Sequence, residues 1–369
     1  MNKSIAIGSS VILVLAVVIP GYFIFVNLDN NRSLTIYTYD SLLADPGFEF
    51  DRAFEKFAGL ENGSVKVVYF SDAASVLNRA ITEKDSPIAD ILIGIDNVLV
   101  NKARANDILE PYRPIEHLNI ISSLVDGLAS DYLLTPYDYG VISLWYINER
   151  LEGTLDPDNL ILTDLIDSTI ARQIIVEDPA LSSPGLGFLL HTISIFGDAE
   201  TGIKGVVDGD WRQFWSDLSD EDIRIVPSWG TAIDLLYTKE EGRPVMVSYT
   251  SSPAYSSCLF DDRSTTSVLS HEMGTTWGWR QIEGIGLVKE SENKDLGKQF
   301  IDWFISNELQ SEIYQNQWVY PAIKNITPPS CYDSVIPFDS ITPLNDFIPQ
   351  SILAENLDSW LDDWEQAVT

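Results

Sequence analysis

At 369 residues and 45% hydrophobic content the chain can bury one large or two medium cores, and it is too long for a single simple layer, so two lobes are expected. Its 55 acidic against 23 basic residues give a formal charge of -32, which repels nucleic acid phosphates and anionic lipid and favours a cationic ligand within the reach of about 10 Å that salt leaves such a field; a solvated acidic surface suited to a salty medium accounts for it without steering. Two cysteines, Cys258 and Cys331, and three scattered histidines, His117, His191 and His271, exclude a disulfide scaffold and a thiol or histidine metal cluster, leaving room for one bridge.

Residues 1–33 open with an uncharged apolar run of 22 residues from Ile5 to Val26, behind Lys3 and ahead of a polar stalk from Asn27. At about 1.5 Å per residue a helix of that length spans a bilayer. The run exceeds the apolar core of a signal peptide and no small-x-small cleavage site follows, so an uncleaved transmembrane anchor is expected in preference to a cleaved signal that would leave the chain secreted. Lys3 puts the short side in the cytoplasm and the rest outside the cell. Sequons at Asn31, Asn62 and Asn325 fit an exported chain.

Past the stalk, short apolar runs alternate with helical patterns, which predicts an α/β protein with largely parallel sheets. Strands are predicted at Leu34 to Thr38, Val65 to Phe70, Ala89 to Ile95, Gln173 to Val176, Ile223 to Val226, Pro244 to Ser248 and Ile285 to Val288. Phe50, Phe54 and Phe57 recur at helical spacing, as do Val76, Leu77, Ala80 and Ile81, and those faces should pack on sheets. Further helices are predicted at Asp210 to Leu218, Thr231 to Tyr237, Leu296 to Ile305 and Leu353 to Val368, the last docked through Leu357, Trp360, Leu361 and Trp364.

No low-complexity linker divides the chain, which favours lobes joined by several strands. Candidate crossings lie at Thr135-Pro136-Tyr137-Asp138-Tyr139-Gly140 and at Ile282-Glu283-Gly284-Ile285-Gly286. Two crossings put residues 137–282 in one lobe and residues 34–136 and 283–369 in the other, around a cleft that closes by hinge motion.

The segment Ser248-Tyr249-Thr250-Ser251-Ser252-Pro253-Ala254-Tyr255 sets two aromatics around a run of hydroxyls where a strand ends, and ligands of open α/β sheets bind at strand ends. A polar turn between two half-buried tyrosines is the plainer reading. Polar groups with turn signals also fall at Thr38-Tyr39-Asp40-Ser41, Ser71-Asp72-Ala73, Ser182-Ser183-Pro184-Gly185 and Ser228-Trp229-Gly230. Asp72 suits the N-cap of the next helix, and Ser182 and Ser183 precede an apolar helix whose free N–H groups suit an anion. That segment lacks the lysine of a P-loop, and no carboxylate pair has catalytic spacing.

In order along the chain, Ile36-Tyr37-Thr38-Tyr39-Asp40-Ser41, Ala89-Asp90-Ile91-Leu92-Ile93-Gly94-Ile95-Asp96-Asn97, Pro136-Tyr137-Asp138-Tyr139-Gly140, Asp178-Pro179, Ser183-Pro184-Gly185-Leu186-Gly187, Ser248 to Tyr255 and Trp318-Val319-Tyr320-Pro321 resemble the thiamine-binding proteins of ABC importers. The resemblance runs from about Leu34 to about Ile326 and implies the two-lobed substrate-binding-protein fold of the second type. It implies thiamine or a thiamine phosphate as ligand and no cofactor, with an ABC permease and its ATPase as partners of a monomeric receptor. Tyr39, Trp229, Tyr249, Tyr255 and Trp318 match the family's aromatic positions, Asp72 and Ala73 a ligand contact, and Ser182 and Ser183 the end that takes the hydroxyl or phosphate, completed by Thr250, Ser251 and Ser252. Two departures stand out. Ala180-Leu181 replaces more polar residues near the phosphate end, and Leu259 to Trp279 looks longer or divergent, with the reach to cover or alter the cleft.

Two classes of function follow. One is a membrane-anchored extracytoplasmic receptor without turnover. The other is an extracellular thiamine-degrading enzyme on a related scaffold, with Cys258 as nucleophile, although no His or Glu has the spacing of its base. A binding protein for a metal or another heterocycle is the third reading.

Overall fold

The structure is a computed structural model that describes residues 32–369 apart from 45 and 239–241, together with a strand pair at Ala16–Ile19 and Tyr22–Phe25. Most of the expected anchor, Ile5 to Val26, lies outside the described residues. The described part of it is not helical: the two strands pair antiparallel, with Ile19 opposite Tyr22. β-Branched and aromatic residues fill both segments and Pro20-Gly21 stands between them in the sequence, a composition that favours a hairpin over a helix. No helix among the described residues is long and apolar enough to cross a membrane.

The body is built on an 11-stranded sheet. Eight strands form its continuous path: β1 (Leu34–Tyr39), β2 (Val65–Phe70), β3 (Ile91–Asp96), β4 (Thr135–Ile147), β5 (Ile174–Glu177), β6 (Arg224–Val226), β7 (Val245–Tyr249) and β8 (Arg280–Val288). Their spatial order is β6-β5-β7-β4-β8-β3-β1-β2. Pairs among β1, β2 and β3, and among β5, β6 and β7, are parallel, as the alternating pattern predicts. The two strands between those groups run antiparallel to their neighbours.

β4 was not foreseen as a strand. Pro136 and Gly140 break its pattern, and proline is tolerated inside a sheet only at edges and bulges. Here it sits at a bulge: Glu283 of β8 faces Asp138 while Gly284 faces Pro136, so Tyr137 is passed over. At its other end β4 changes partner, with Val141 opposite Arg280 of β8 and Ile142 opposite Tyr249 of β7. One 13-residue strand thereby carries the chain from one group of strands into the other.

The longer helices are α1 (Phe50–Ala58), α2 (Ala73–Thr82), α3 (Ser183–Phe196), α4 (Trp211–Asp220), α5 (Trp229–Tyr237), α6 (Ser252–Phe260), α7 (Lys294–Phe304), α8 (Asn307–Asn316) and α9 (Gln350–Val368). Around β1 and β3, Phe50 and Phe54 of α1 pack with Phe300, Trp303 and Phe304 of α7, while Phe57 remains largely exposed. A second core, under β5 and β7, takes in nearly all of α3. The tail helix α9 docks as predicted, but on this second core, with Trp360 and Trp364 beside Trp211 and Trp215. The chain therefore crosses back to the middle segment after β8, a third passage beyond the two inferred from sequence.

Residues 259–279 form a strand, Thr265–Val268, on β4 and a hairpin of His271–Glu272 with Thr275–Gly278. Cys258 and Cys331 form a disulfide, their Cα atoms 5.2 Å apart, which fastens α6 to the chain beyond Trp318.

The indole of Trp360 is 1% exposed and donates to Asp198 Oδ2 at 2.8 Å. Trp360→Ala is expected to cost about 3 to 5 kcal/mol, read as a lowered urea midpoint.

Candidate functional site

A solvent-open cleft of about 1080 Å³ lies where the two groups of strands meet. Of the residues expected at a site, Tyr39, Asp72, Ala73, Ser182, Ser183, Trp229, Tyr249, Ser252, Tyr255 and Trp318 line it. Thr250 and Ser251 do not. Thr250 N–H donates to Val141 O at 2.9 Å, which prolongs the ladder one residue beyond Tyr249 and turns the next side chain to the opposite face. Thr250 and Ser251 are buried there, at 1% and 0% exposure. No residue from 259 to 279 lines the cleft, so the divergent segment does not cover it.

Local folding places each wall. Asp72 is the N-cap of α2 as expected, accepting from Ser75 N at 2.7 Å and from the hydroxyls of Ser71 and Ser75. Ser228 caps α5 in the same way and sets Trp229 at its first turn, where the indole N–H donates to Ser248 Oγ at 2.9 Å. The Ser252 hydroxyl bonds Ser248 and receives Tyr249 N–H, so it holds the β7–α6 turn. Ser182 is the N-cap of α3 and Ser183 its first residue, whose hydroxyl partly offsets the rise that burial gives the Asp96 carboxyl. Tyr255 and Trp318 meet edge to face at 5.4 Å. Trp318 holds a backbone φ of 62°, uncommon for a bulky residue and costing of order 1 to 3 kcal/mol.

Two glycines make room for the cleft tyrosines. Gly94 has φ 98° and is the residue passed over where β3 bulges against β8; a Cβ there would sit 2.4 Å from the Tyr39 ring. A Cβ at Gly140 would sit 2.6 Å from the ring of Tyr249. Larger residues at either place would push a tyrosine out of position.

Sequence reasoning passed over the cleft floor. Asp138, Gln281, Glu283 and Gln317 line it, and three of them lie on β4, read only as a crossing, and on the first half of β8, ahead of the strand predicted from Ile285. Glu283 Oε2 accepts from the hydroxyls of Tyr39 at 2.6 Å and Tyr137 at 2.5 Å, and Oε1 accepts from Gln281 Nε2 at 2.9 Å. Tyr249 donates to Gln281 Oε1 at 3.1 Å, and Gln317 Nε2 donates to the Tyr39 hydroxyl. The signal that marks the floor is an acid inside each crossing motif, at a register that strand pairing alone brings together.

The electrostatics of the floor are set by burial. Glu283 is pushed up to about 7, an effect the Tyr137 and Tyr39 hydroxyls partly oppose. Asp138 is raised well above the carboxylate range by burial and by the charge of Glu283. Asp96 is raised by burial against the backbone N–H groups of Leu99 and Val98. Among the described residues the cleft lining contains no Lys, Arg or His. Such a site accepts a cation or a flat, hydrogen-bonding ring and offers an anion only neutral donors.

Behind the cleft, at the end of β5, Glu177 is fully buried with neither carboxylate oxygen hydrogen-bonded, and burial raises it from 4.5 to about 8. The folded state keeps a proton there that the unfolded chain gives up, so its contribution falls as pH rises from about 4.5 to about 8 and is constant above. Glu177→Gln is expected to be the more stable protein at pH 8, by up to about 4 kcal/mol, and to lose that advantage near pH 5, as urea unfolding at the two pH values will read.

No family model matches the chain. The thiamine-binding periplasmic protein of Brucella suis biovar 1 (strain 1330) is 31% identical over 340 residues, 91% of this chain and 92% of its own. That of Escherichia coli (strain K12) is 28% identical over 338 residues, 91% of this chain and 93% of its own. A solved structure of a periplasmic thiamin binding protein matches with a TM-score of 0.75 at 26% identity, over 91% of this chain and 96% of its own, which shows the α/β periplasmic-binding-protein fold. At this identity and coverage the chain belongs to the family of thiamine-binding periplasmic proteins.

Proposed function

We propose that this protein is an extracytoplasmic receptor that captures thiamine in the cleft and hands it to an ABC permease driven by its ATPase, acting as a monomer without turnover. One observation carries the reading: in a chain of this family, five aromatic side chains and a floor of uncompensated acids surround one cleft that has no basic side chain among its described residues. Thiamine is a thiazolium cation joined to an aminopyrimidine with a hydroxyethyl arm, and each part has its counterpart. Tyr39, Trp229, Tyr249, Tyr255 and Trp318 offer ring faces to the cation and pyrimidine, at about 0.5 to 2 kcal/mol per contact. Asp72, Asp138 and Glu283 suit the positive charge and the amino group. Ser182 and Ser183, at the start of α3, suit the arm, and with no basic side chain among the described lining residues a bare hydroxyl fits better than a phosphate there.

In this reading residues 34–136, with the chain from 283 as far as α9, form one lobe. Residues 137–282 form the other, with α9 packed on it, and β4 and β8 are the hinge strands. Residues 1–33 serve as export signal or membrane tether. Thr250 and Ser251 support the wall from behind. The enzymatic reading needs a free thiol at Cys258, and the disulfide removes it.

Calorimetric titration of the purified protein with thiamine is expected to show one site filled at micromolar concentration or below, and no free thiazole on prolonged incubation with a nucleophile. Absence of binding would sink the proposal, and thiazole release would replace it with the enzyme. Trp229→Ala and Tyr249→Ala are each expected to weaken binding roughly 3- to 30-fold. Unchanged affinity in both would move the ligand elsewhere.

A further inference from the structure

We propose that Asp138 and Glu283 act as one unit, the cation-holding floor of the cleft, and that a positively charged ligand binding there expels a proton the two carboxyls share. The proposal rests on the thiamine reading and adds to it a place for the charge and a coupling to pH.

Position comes first. Asp138 and Glu283 face each other in register on the adjacent antiparallel strands β4 and β8, where opposed side chains start about 5 Å apart. Both line the cleft. Glu283 has both oxygens occupied by Tyr39, Tyr137 and Gln281, whereas Asp138 is 1% exposed and its Oδ2 has no hydrogen-bond partner. An unpartnered carboxylate oxygen at the bottom of an aromatic-walled cleft is an acceptor waiting for a positive group.

Among the described residues the surroundings supply no counter-charge. Facing the pair are Tyr39 from β1, Tyr137 from β4, Tyr249 from β7 and Asp96 at the end of β3, all neutral or acidic, and Glu177 at the end of β5 acts on Tyr249. Two carboxylates in such a place do not both ionise freely, and their titration belongs to the pair. With the cleft empty the pair therefore retains a proton into the neutral range. A ligand cation above it favours the doubly ionised form and the proton leaves. Because the empty site binds more protons than the filled one, affinity rises with pH while the empty pair is protonated and levels off above. One proton per ligand corresponds to at most tenfold per pH unit.

The test is calorimetric titration of thiamine into the intact protein at about pH 6.5, where the aminopyrimidine is neutral, in phosphate and in imidazole buffers, whose ionisation heats differ. Between about half and one proton released per thiamine is expected, with affinity rising at least about threefold from pH 6 to pH 7. In Asp138→Asn and in Glu283→Gln, each checked for native circular dichroism, the release should fall towards zero, with about tenfold weaker binding at pH 8. Equal heats in the two buffers with thiamine bound would overturn this proposal alone, as would full release and unchanged affinity in Asp138→Asn. No binding in either buffer would refute the thiamine reading and this proposal with it.

Discussion

The carboxylate of Glu283 is the group on which the cleft depends. It sits where β8 meets β4, and its oxygens are held by Tyr39 from one group of strands and by Tyr137 and Gln281 from the joining strands, with Tyr249 attached through Gln281. An ionisable group this deep is costly unless its lone pairs are met, and the network meets them with neutral donors. Two bulges, at Tyr137 and at Gly94, set that geometry on either side of the same stretch of β8. Without them the side-chain alternation of a regular strand would aim these tyrosines elsewhere.

The overall acidity and the local acidity of the cleft are separate matters. Most of the 55 acidic residues are solvated at the surface, where their fields decay within a Debye length. The floor carboxyls lie out of water and act on anything that enters the cleft with little screening. Global charge thus selects against anions at a distance, and the floor discriminates at contact.

Much of this was legible in the sequence. Seven of the eight path strands follow apolar runs, because a strand buried on both faces reads as a continuous hydrophobic stretch. The walls were legible for another reason: Asp72, Ser182 and Trp229 sit at helix starts, where capping residues and turn signals announce themselves locally. The floor was not. Asp138 and Glu283 are 145 positions apart and meet only through strand register, and Pro136 masked the strand that carries one of them. The docking of α9 on the middle segment was equally hidden, since amphipathicity shows that a helix packs but not on what. Thr250 illustrates the reverse case, in which a run of hydroxyls reads as one surface although the residue after Tyr249 faces the opposite way, and Ser251 is buried as the N-cap of α6.

The disulfide between Cys258 and Cys331 has a mechanical consequence. It ties the helix bearing Tyr255 to the chain that follows Trp318, so the two indole and phenol rings that meet edge to face belong to a covalently fastened corner. The bond limits how far the two segments can part at that corner. The aromatic pair on this side of the cleft is therefore tethered by a covalent bond as well as by packing.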